Sequence, residues 1–106
     1  MKALEALGDP TRRRILELLR EGEREAGEIA AEFPVSRPAV SRHLRVLRES
    51  GLVRVRPAAQ RRLYSVDPSP LAELDEWLAR YRAFWANGLD ALETEVRRGR
   101  RRKGRR

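Results

Sequence analysis

The chain has 106 residues, a net charge of +8 and no cysteine, which excludes disulfides, thiolate metal sites and cysteine nucleophiles. Its length suits one domain and is too short for two independent hydrophobic cores. No segment approaches the roughly 20 apolar residues of a membrane span, and the first residues lack the apolar core of a signal peptide, so we expect a cytoplasmic protein without a membrane partner.

Two helices are predicted at the start of the chain. The stretch "ALEAL" favours a short helix with Leu4 and Leu7 on one side. In "GDPTRRRILELLREG", Asp9 can cap the free amides of the first turn, Pro10 fits the first helical position and Gly22 supplies the stop. The apolar face of this second helix comprises Ile15, Leu16, Leu18 and Leu19.

A helix-turn-helix is predicted next. Apolar residues at helical spacing indicate a third helix over about residues 25–32, although its N-terminal cap is weak. Pro34 ends that helix, and Ser36 caps a fourth helix over about residues 36–49. Two short helices joined by a turn of three or four residues have the geometry of a helix-turn-helix.

The fourth helix is amphipathic, with Val40, Leu44 and Leu47 at positions i, i+4 and i+7. This stripe must face the core, which fixes where the remaining side chains point. The polar side of the helix then carries hydroxyl and guanidinium groups, namely Arg37, Ser41, Arg42, Arg45 and Arg48.

A β-hairpin follows, with strand-like runs over residues 52–56 and 61–66. Alternation predicts Leu52 on the same face as Arg54 and Arg56. A hairpin after a helix-turn-helix makes a winged helix, so the predicted fold is mainly α with a small hairpin, in the order α-α-α-α-β-β-α. The wing is residues 56–62, and its polar tip comprises Gln60, Arg61 and Arg62.

The last predicted element is one long amphipathic helix after "DPSP". Its apolar stripe is wider than one small domain can cover, so we expect a homodimer that uses the same patch twice. The predicted dimerisation residues on the terminal helices are Leu4, Leu7, Leu71, Leu74, Trp77, Leu78, Tyr81, Phe84, Trp85, Leu89 and Leu92.

The positive charge is unevenly distributed. Residues 97–106 hold eight of the 24 basic residues and no acid, so we expect a disordered basic tail after a winged-helix domain over residues 1–96. That domain is neutral overall, but residues 36–66 carry +7, against −2 for residues 1–35 and −5 for residues 67–96. The middle third therefore indicates an anion-binding face.

Four stretches resemble the ArsR/SmtB family of dimeric winged-helix repressors. They are "ALGDPTRRRILELL", "VSRPAVSRHLRVLRESGLV", "RRLYSVDPSPLAELDEWL" and "YRAFW", and they occur in family order over nearly the whole chain. The resemblance implies a homodimeric transcription factor that binds a palindromic operator in double-stranded DNA and represses by occluding a promoter.

On this interpretation the fourth helix, the recognition helix, enters the major groove and the wing lies on the minor groove. For His43 a phosphate contact and a packed core position remain open, and the wing arginines could merely be solvated. The predicted DNA-binding residues are Ser36, Arg37, Pro38, Ser41, Arg42, His43, Arg45, Arg48, Arg56, Gln60, Arg61 and Arg62.

Metal and catalytic sites are not predicted. Many family members sense metals through Cys near the first helix of the motif or through Asp, His and Glu in the last helix. Here "EAGEIAAEF" has no thiol, and the acidic residues of the last helix have no His among them. Ser41 and His43 point about 200° apart on a helix and cannot form a nucleophile and base pair. We therefore expect no enzyme and no cofactor, and the sequence assigns no inducer.

The sequence is compatible with three kinds of function. The first is the sequence-specific repressor. The second is an architectural or RNA-associated basic protein that binds any polyanion, mainly through its tail. The third is a dimeric adaptor that binds other proteins.

Overall fold

The computed structural model describes residues 1–104, with side chains described except at 90, 91 and 98–104. It divides into two compact units, residues 1–74 and the residues from 75 onward. The predicted order of four helices, a hairpin and a long helix is confirmed. The elements are α1 (Lys2–Ala6), α2 (Pro10–Arg20), α3 (Ala26–Ala31), α4 (Arg37–Glu49), β1 (Val53–Ala58), β2 (Arg61–Val66) and α5 (Ser69–Gly104).

Helix α2 begins where the sequence predicts. The Asp9 carboxylate accepts hydrogen bonds from the backbone N–H groups of Thr11 at 2.8 Å and Arg12 at 3.1 Å, and Pro10 occupies the first turn. The Arg12 amide is the main reason that the pKa of Asp9 lies below its ordinary value of 3.8. The cap is therefore stronger when Asp9 is ionised.

The Asp9→Ala variant should lose about 1 kcal/mol in its free energy of unfolding at neutral pH, because two amides of α2 lose their acceptor. Since the native pKa is lowered, the part of this contribution that comes from the negative charge is complete above the ordinary pKa and is lost as the pH falls through the native value. Urea unfolding of the wild type and the variant at neutral and acidic pH measures it. Asp9→Asn, which caps without titrating, is the control, and a difference between wild type and Asp9→Ala that persists unchanged in acid would contradict the assignment.

The helix-turn-helix is formed by α3 and α4. Its first helix has a cap that the sequence does not reveal: the Glu28 side chain turns back and accepts the backbone N–H of Glu25 at 3.1 Å. Helix α4 is capped as predicted, since Ser36 Oγ accepts the Ala39 N–H at 3.2 Å. Gly51, with φ of +80°, ends α4 in the left-handed conformation that glycine adopts without steric cost.

The core of the first unit joins all four of its short helices to the hairpin. A fully buried Leu or Ile contributes roughly 1.5–3 kcal/mol, so this cluster fixes the orientation of α4. Its largest completely enclosed side chains are Ile15, Ile29, Val40, Leu44, Leu47 and Leu52.

The position predicted for Leu52 is wrong. Leu52 is buried and does not share the exposed face of Arg54 and Arg56, because β1 begins one residue later, at Val53. Leu52 instead lies in the turn after α4, where its N–H donates to the Leu47 carbonyl at 3.0 Å and its carbonyl accepts the Asp67 N–H at 2.9 Å. Consecutive residues of a turn can both face the core, which strict alternation does not allow.

The hairpin is antiparallel, and Ala58 pairs with Arg61, so only two residues form its turn. The first of them, Ala59, has φ of +57°. An L-residue with a Cβ adopts this conformation at a cost of about 1–2 kcal/mol. The backbone of the wing tip is therefore strained at Ala59.

Replacing Ala59 by glycine should raise the free energy of unfolding by about 0.5–1 kcal/mol, because the removed strain exceeds the extra entropy of glycine in the unfolded chain. Denaturant unfolding of the two proteins tests this. Ala58→Gly, in the adjacent strand position, should destabilise instead; equal losses in both variants would contradict a strained turn.

Helix α5 begins after Asp67, whose carboxylate accepts the Ser69 N–H at 3.0 Å. It continues to Gly104, through most of the segment over residues 97–106 for which the sequence predicts a disordered tail. Arg and Lys are good helix formers, so their charge does not by itself end a helix. Residues 105 and 106 lie outside the described residues. Within the described part of the chain, no helix has both the length and the hydrophobicity needed to cross a membrane.

Candidate nucleic-acid interface

The two sides of α4 differ as predicted. Val40, Leu44 and Leu47 are at most 2% exposed. The opposite side is open to solvent, because the core holds the helix by its apolar stripe. Its exposed residues, including the cap, are Ser36, Arg37, Pro38, Ser41, Arg42, Arg45, Val46, Arg48 and Glu49.

Several arginines between residues 36 and 66 form no ion pair with any residue that the structure describes. We call them the free arginines; they are Arg37, Arg42, Arg45, Arg48 and Arg62. Four of them follow one another along the exposed side of α4, and the fifth lies on the wing. Unneutralised guanidinium groups on one side of a helix create a field that attracts a polyanion.

Two wing arginines are paired with carboxylates. Arg56 donates two hydrogen bonds to Glu23, at 2.7 and 2.9 Å. Arg61 donates to Glu25 at 2.5 Å and to Glu28 at 3.4 Å. The bond from Arg56 lowers the pKa of Glu23, and the bonds to Glu23 and Glu25 raise the pKa values of Arg56 and Arg61. Glu23, Arg56 and Arg61 are therefore ionised at neutral pH.

A third pair lies at the other end of the hairpin. Arg54 approaches Asp67 at 3.2 Å. The backbone N–H of Ser69 is the main cause of the lowered pKa of Asp67, and Arg54 adds to it. This pair ties β1 to the start of α5, and it lies away from the wing tip.

The segment between α2 and α3 is the part of the site that sequence reasoning missed. Arg24 forms a bridge to β2: its N–H donates to the Tyr64 carbonyl at 3.1 Å, and the Tyr64 N–H donates to the Arg24 carbonyl at 2.8 Å. Glu23 and Glu25 flank this bridge. The alternation Glu-Arg-Glu is typical of an extended edge segment and was the available signal.

A cleft of about 320 Å³ lies between the start of α4, the start of α3 and the wing tip. Two free arginines, Arg37 and Arg62, line it together with the paired Arg61 and Glu25. The guanidinium of Arg37 lies over Gly27, about 3.7 Å from where a Cβ would stand. The cleft thus brings one free cation of the recognition helix and one free cation of the wing to the same place, beside the ion pair of Arg61 with Glu25.

His43 is half-buried on the flank of α4. It is close enough to Asp9, the cap of α2, to contribute to the lowered pKa of that carboxyl. This position is intermediate between the two alternatives that the sequence leaves open. Among the described residues, no three His, Asp or Glu side chains come together as a metal site would require.

The predicted dimerisation residues differ in exposure. Leu74 is buried, and Leu7, Trp77 and Leu78 are half-buried. Phe84 is the most exposed, at 85%. The remaining members are also exposed: Leu4, Leu71, Tyr81, Trp85, Leu89 and Leu92.

A family match and the sequence relatives of this chain indicate the same kind of protein. Residues 9–55 match the family described as "Bacterial regulatory protein, arsR family". The chain is 50% identical over 88 residues to the HTH-type transcriptional regulator Rv2034 of Mycobacterium tuberculosis, covering 83% of this chain and 79% of that protein. It is 36% identical over 76 residues to the transcriptional repressor SdpR of Bacillus subtilis, covering 72% and 84%.

Solved structures agree with the sequence relatives. One of them is the crystal structure of a "Possible transcriptional regulator for arsenical resistance", whose sequence is 44% identical to this chain. The match covers 90% of this chain and 96% of that chain, with a TM-score of 0.73. The described helices and hairpin are thus those of a winged helix-turn-helix. From the match to the family and from these relatives, the chain belongs to the ArsR family of bacterial regulatory proteins and is a DNA-binding transcriptional regulator, not an enzyme.

Proposed function

We propose that this protein is a homodimeric repressor that binds a palindromic operator and occludes a promoter. The observation that carries the proposal is the row of free arginines on the exposed side of α4, whose opposite side is locked into the core. A helix held in this way can be inserted into a major groove without rearrangement. With DNA as the partner, we expect the protein in the cytoplasm.

The contacts divide by function. Ser36 and Arg37 begin the recognition helix and are suited to backbone phosphates, while Ser41 and Arg42 are suited to base edges. Pro38 has no N–H and offers only an apolar contact. Arg45, Arg48 and the half-buried His43 extend this surface toward flanking phosphates. We expect Gln60 and Arg62 to contact the DNA at the minor groove.

The proposed dimer rests on the exposed apolar side chains of α5. ArsR-family regulators bind DNA and typically form dimers, and a large apolar surface on a helix needs a partner. A symmetric dimer uses the same surface twice. Its two recognition helices should lie about 34 Å apart, one turn of DNA, so that each reads one half-site.

Transcription in vitro tests repression directly. The operator is first obtained by selecting bound duplexes from a random pool, and it is then placed over a promoter. We expect the purified protein to reduce the amount of transcript in proportion to operator occupancy. Unchanged transcript at full occupancy would contradict promoter occlusion, and increased transcript would indicate an activator.

A non-specific polyanion binder is the second candidate, because eight basic residues are concentrated in residues 97–106. Truncation after Val96 separates the two. The repressor should keep its preference for the operator over competitor DNA, whereas the polyanion binder should lose nearly all binding. Salt dependence alone does not separate them, because every neutralised phosphate adds about 0.9 to the logarithmic slope in either case.

A further inference from the structure

The wing has two kinds of cation, which the register of the hairpin separates. Arg56 pairs with Leu63, and Arg61 pairs with Ala58. Directly paired residues of an antiparallel sheet point to the same face, so Arg56 and Arg61 share one face of the hairpin. Arg62, next to Arg61 in the strand, points to the opposite face. The free cation and the paired cations of the wing therefore leave the backbone on opposite faces, although Arg61 and Arg62 both reach the cleft beside the start of α4.

The paired cations face an acidic edge. Glu23 and Glu25 flank the Arg24 bridge, and Glu28 follows one turn later in α3. Their carboxylates form four hydrogen bonds with Arg56 and Arg61. These contacts span 33 to 36 residues of sequence, and they link the wing to the segment that precedes α3.

A phosphate could bind Arg56 or Arg61 only in competition with these carboxylates. If Arg56 turned to DNA, the Glu23 carboxylate would remain unpaired beside a polyanion, where like charges repel. Neither Arg62 nor Arg37 has an ion pair among the described residues, because Glu25, the carboxylate that lines their cleft, is already bound to Arg61. Electrostatics therefore favours different tasks for the two kinds of arginine.

We infer that Arg56 and Arg61 are positioning residues that hold the wing through Glu23, Glu25 and Glu28, and that Arg62 makes the wing's contact with the DNA backbone. This assignment rests on the proposed function, because it concerns how the wing meets DNA. It also changes the set of contacts predicted from the sequence, in which all three arginines have the same task.

A charge swap tests the inference in the full-length protein. Affinity for the selected operator is measured by fluorescence anisotropy. Arg56→Glu should weaken binding about tenfold, because two carboxylates then repel each other and the wing is released. Combining Arg56→Glu with Glu23→Arg rebuilds the pair in reverse and should restore affinity to within about twofold of the wild type.

The matched control combines Arg62→Glu with Glu23→Arg. It has the same net charge as the swapped pair, but Arg62 has no partner at Glu23, so we expect binding to stay as weak as in Arg62→Glu alone. Restoration in both double variants would mean that net charge alone sets affinity, and it would overturn the inference. A swapped Arg56 and Glu23 pair that binds no better than Arg56→Glu would make Arg56 a DNA contact and would also overturn it.

The salt dependence of operator affinity is a second measurement, and a loss of folding stability alone would not change it in the same way. Arg62→Gln should reduce the logarithmic salt slope by about 0.9 for each subunit bound, whereas the swapped pair of Arg56→Glu with Glu23→Arg, which keeps the wing held, should leave it unchanged. A reduced slope in the swapped pair would overturn the assignment. A wild-type protein that prefers no duplex would overturn the proposed function, and the wing assignment with it; a preference combined with a failed swap would overturn the wing assignment alone.

Discussion

Replacing both Arg42 and Arg45 by alanine should lower operator affinity about a thousandfold and leave thermal unfolding nearly unchanged. A well-placed arginine contributes about 1–3 kcal/mol of discrimination. Two arginines in each of two subunits therefore contribute at least about 4 kcal/mol, and every 1.4 kcal/mol is a factor of ten. Both side chains are exposed, so little packing is lost.

The control for this variant removes the same charge elsewhere. Arg20 and Arg80 are exposed and have no ion pair among the described residues. Their joint replacement by alanine should change affinity only through long-range attraction, by less than about tenfold at physiological salt. Equal losses in the two double variants, measured by anisotropy on operator and competitor duplexes, would contradict a recognition role for α4.

The second large effect concerns the dimer. Phe84→Asp combined with Leu89→Asp should convert the protein to a monomer, because four carboxylates would then have to be buried in one symmetric interface. Operator affinity should fall by about a hundredfold or more, since the second half-site is no longer bound within the same complex. Analytical ultracentrifugation at micromolar concentration gives the mass.

Ala79→Asp combined with Ala83→Asp is the matched control. These two residues lie on the opposite side of α5 from the apolar stripe, at 100° per residue. We expect this variant to remain dimeric and to bind the operator. A monomeric wild type, or a dimer that survives Phe84→Asp with Leu89→Asp, would show that α5 does not form the interface proposed here.

Much of the recognition surface could be predicted because one physical constraint determines it. The spacing of Val40, Leu44 and Leu47 has a single solution in a helix, and the arginines beside that stripe can only point outward. Ser36 and Gly51 mark the ends of that helix by local chemistry that a sequence states directly. The wing pattern was likewise evident, from two alternating runs around a short loop.

Which arginines form ion pairs could not be predicted, because ion pairing depends on contacts between distant parts of the chain. A tally of +7 for residues 36–66 gives Arg56 and Arg62 equal weight. Only the fold shows that Glu23 meets Arg56 while no described carboxylate meets Arg62. The burial of Leu52 was missed for a related reason, since the exact residue at which a strand begins is set by the turn before it.

Selection of bound duplexes from a random pool, with the purified full-length protein, tests the central claim most directly. Two outward-facing arginine rows related by a two-fold axis should enrich a palindromic motif whose half-site centres lie about ten base pairs apart. Enrichment of no motif, or of one asymmetric half-site alone, would contradict a dimer that reads DNA through α4.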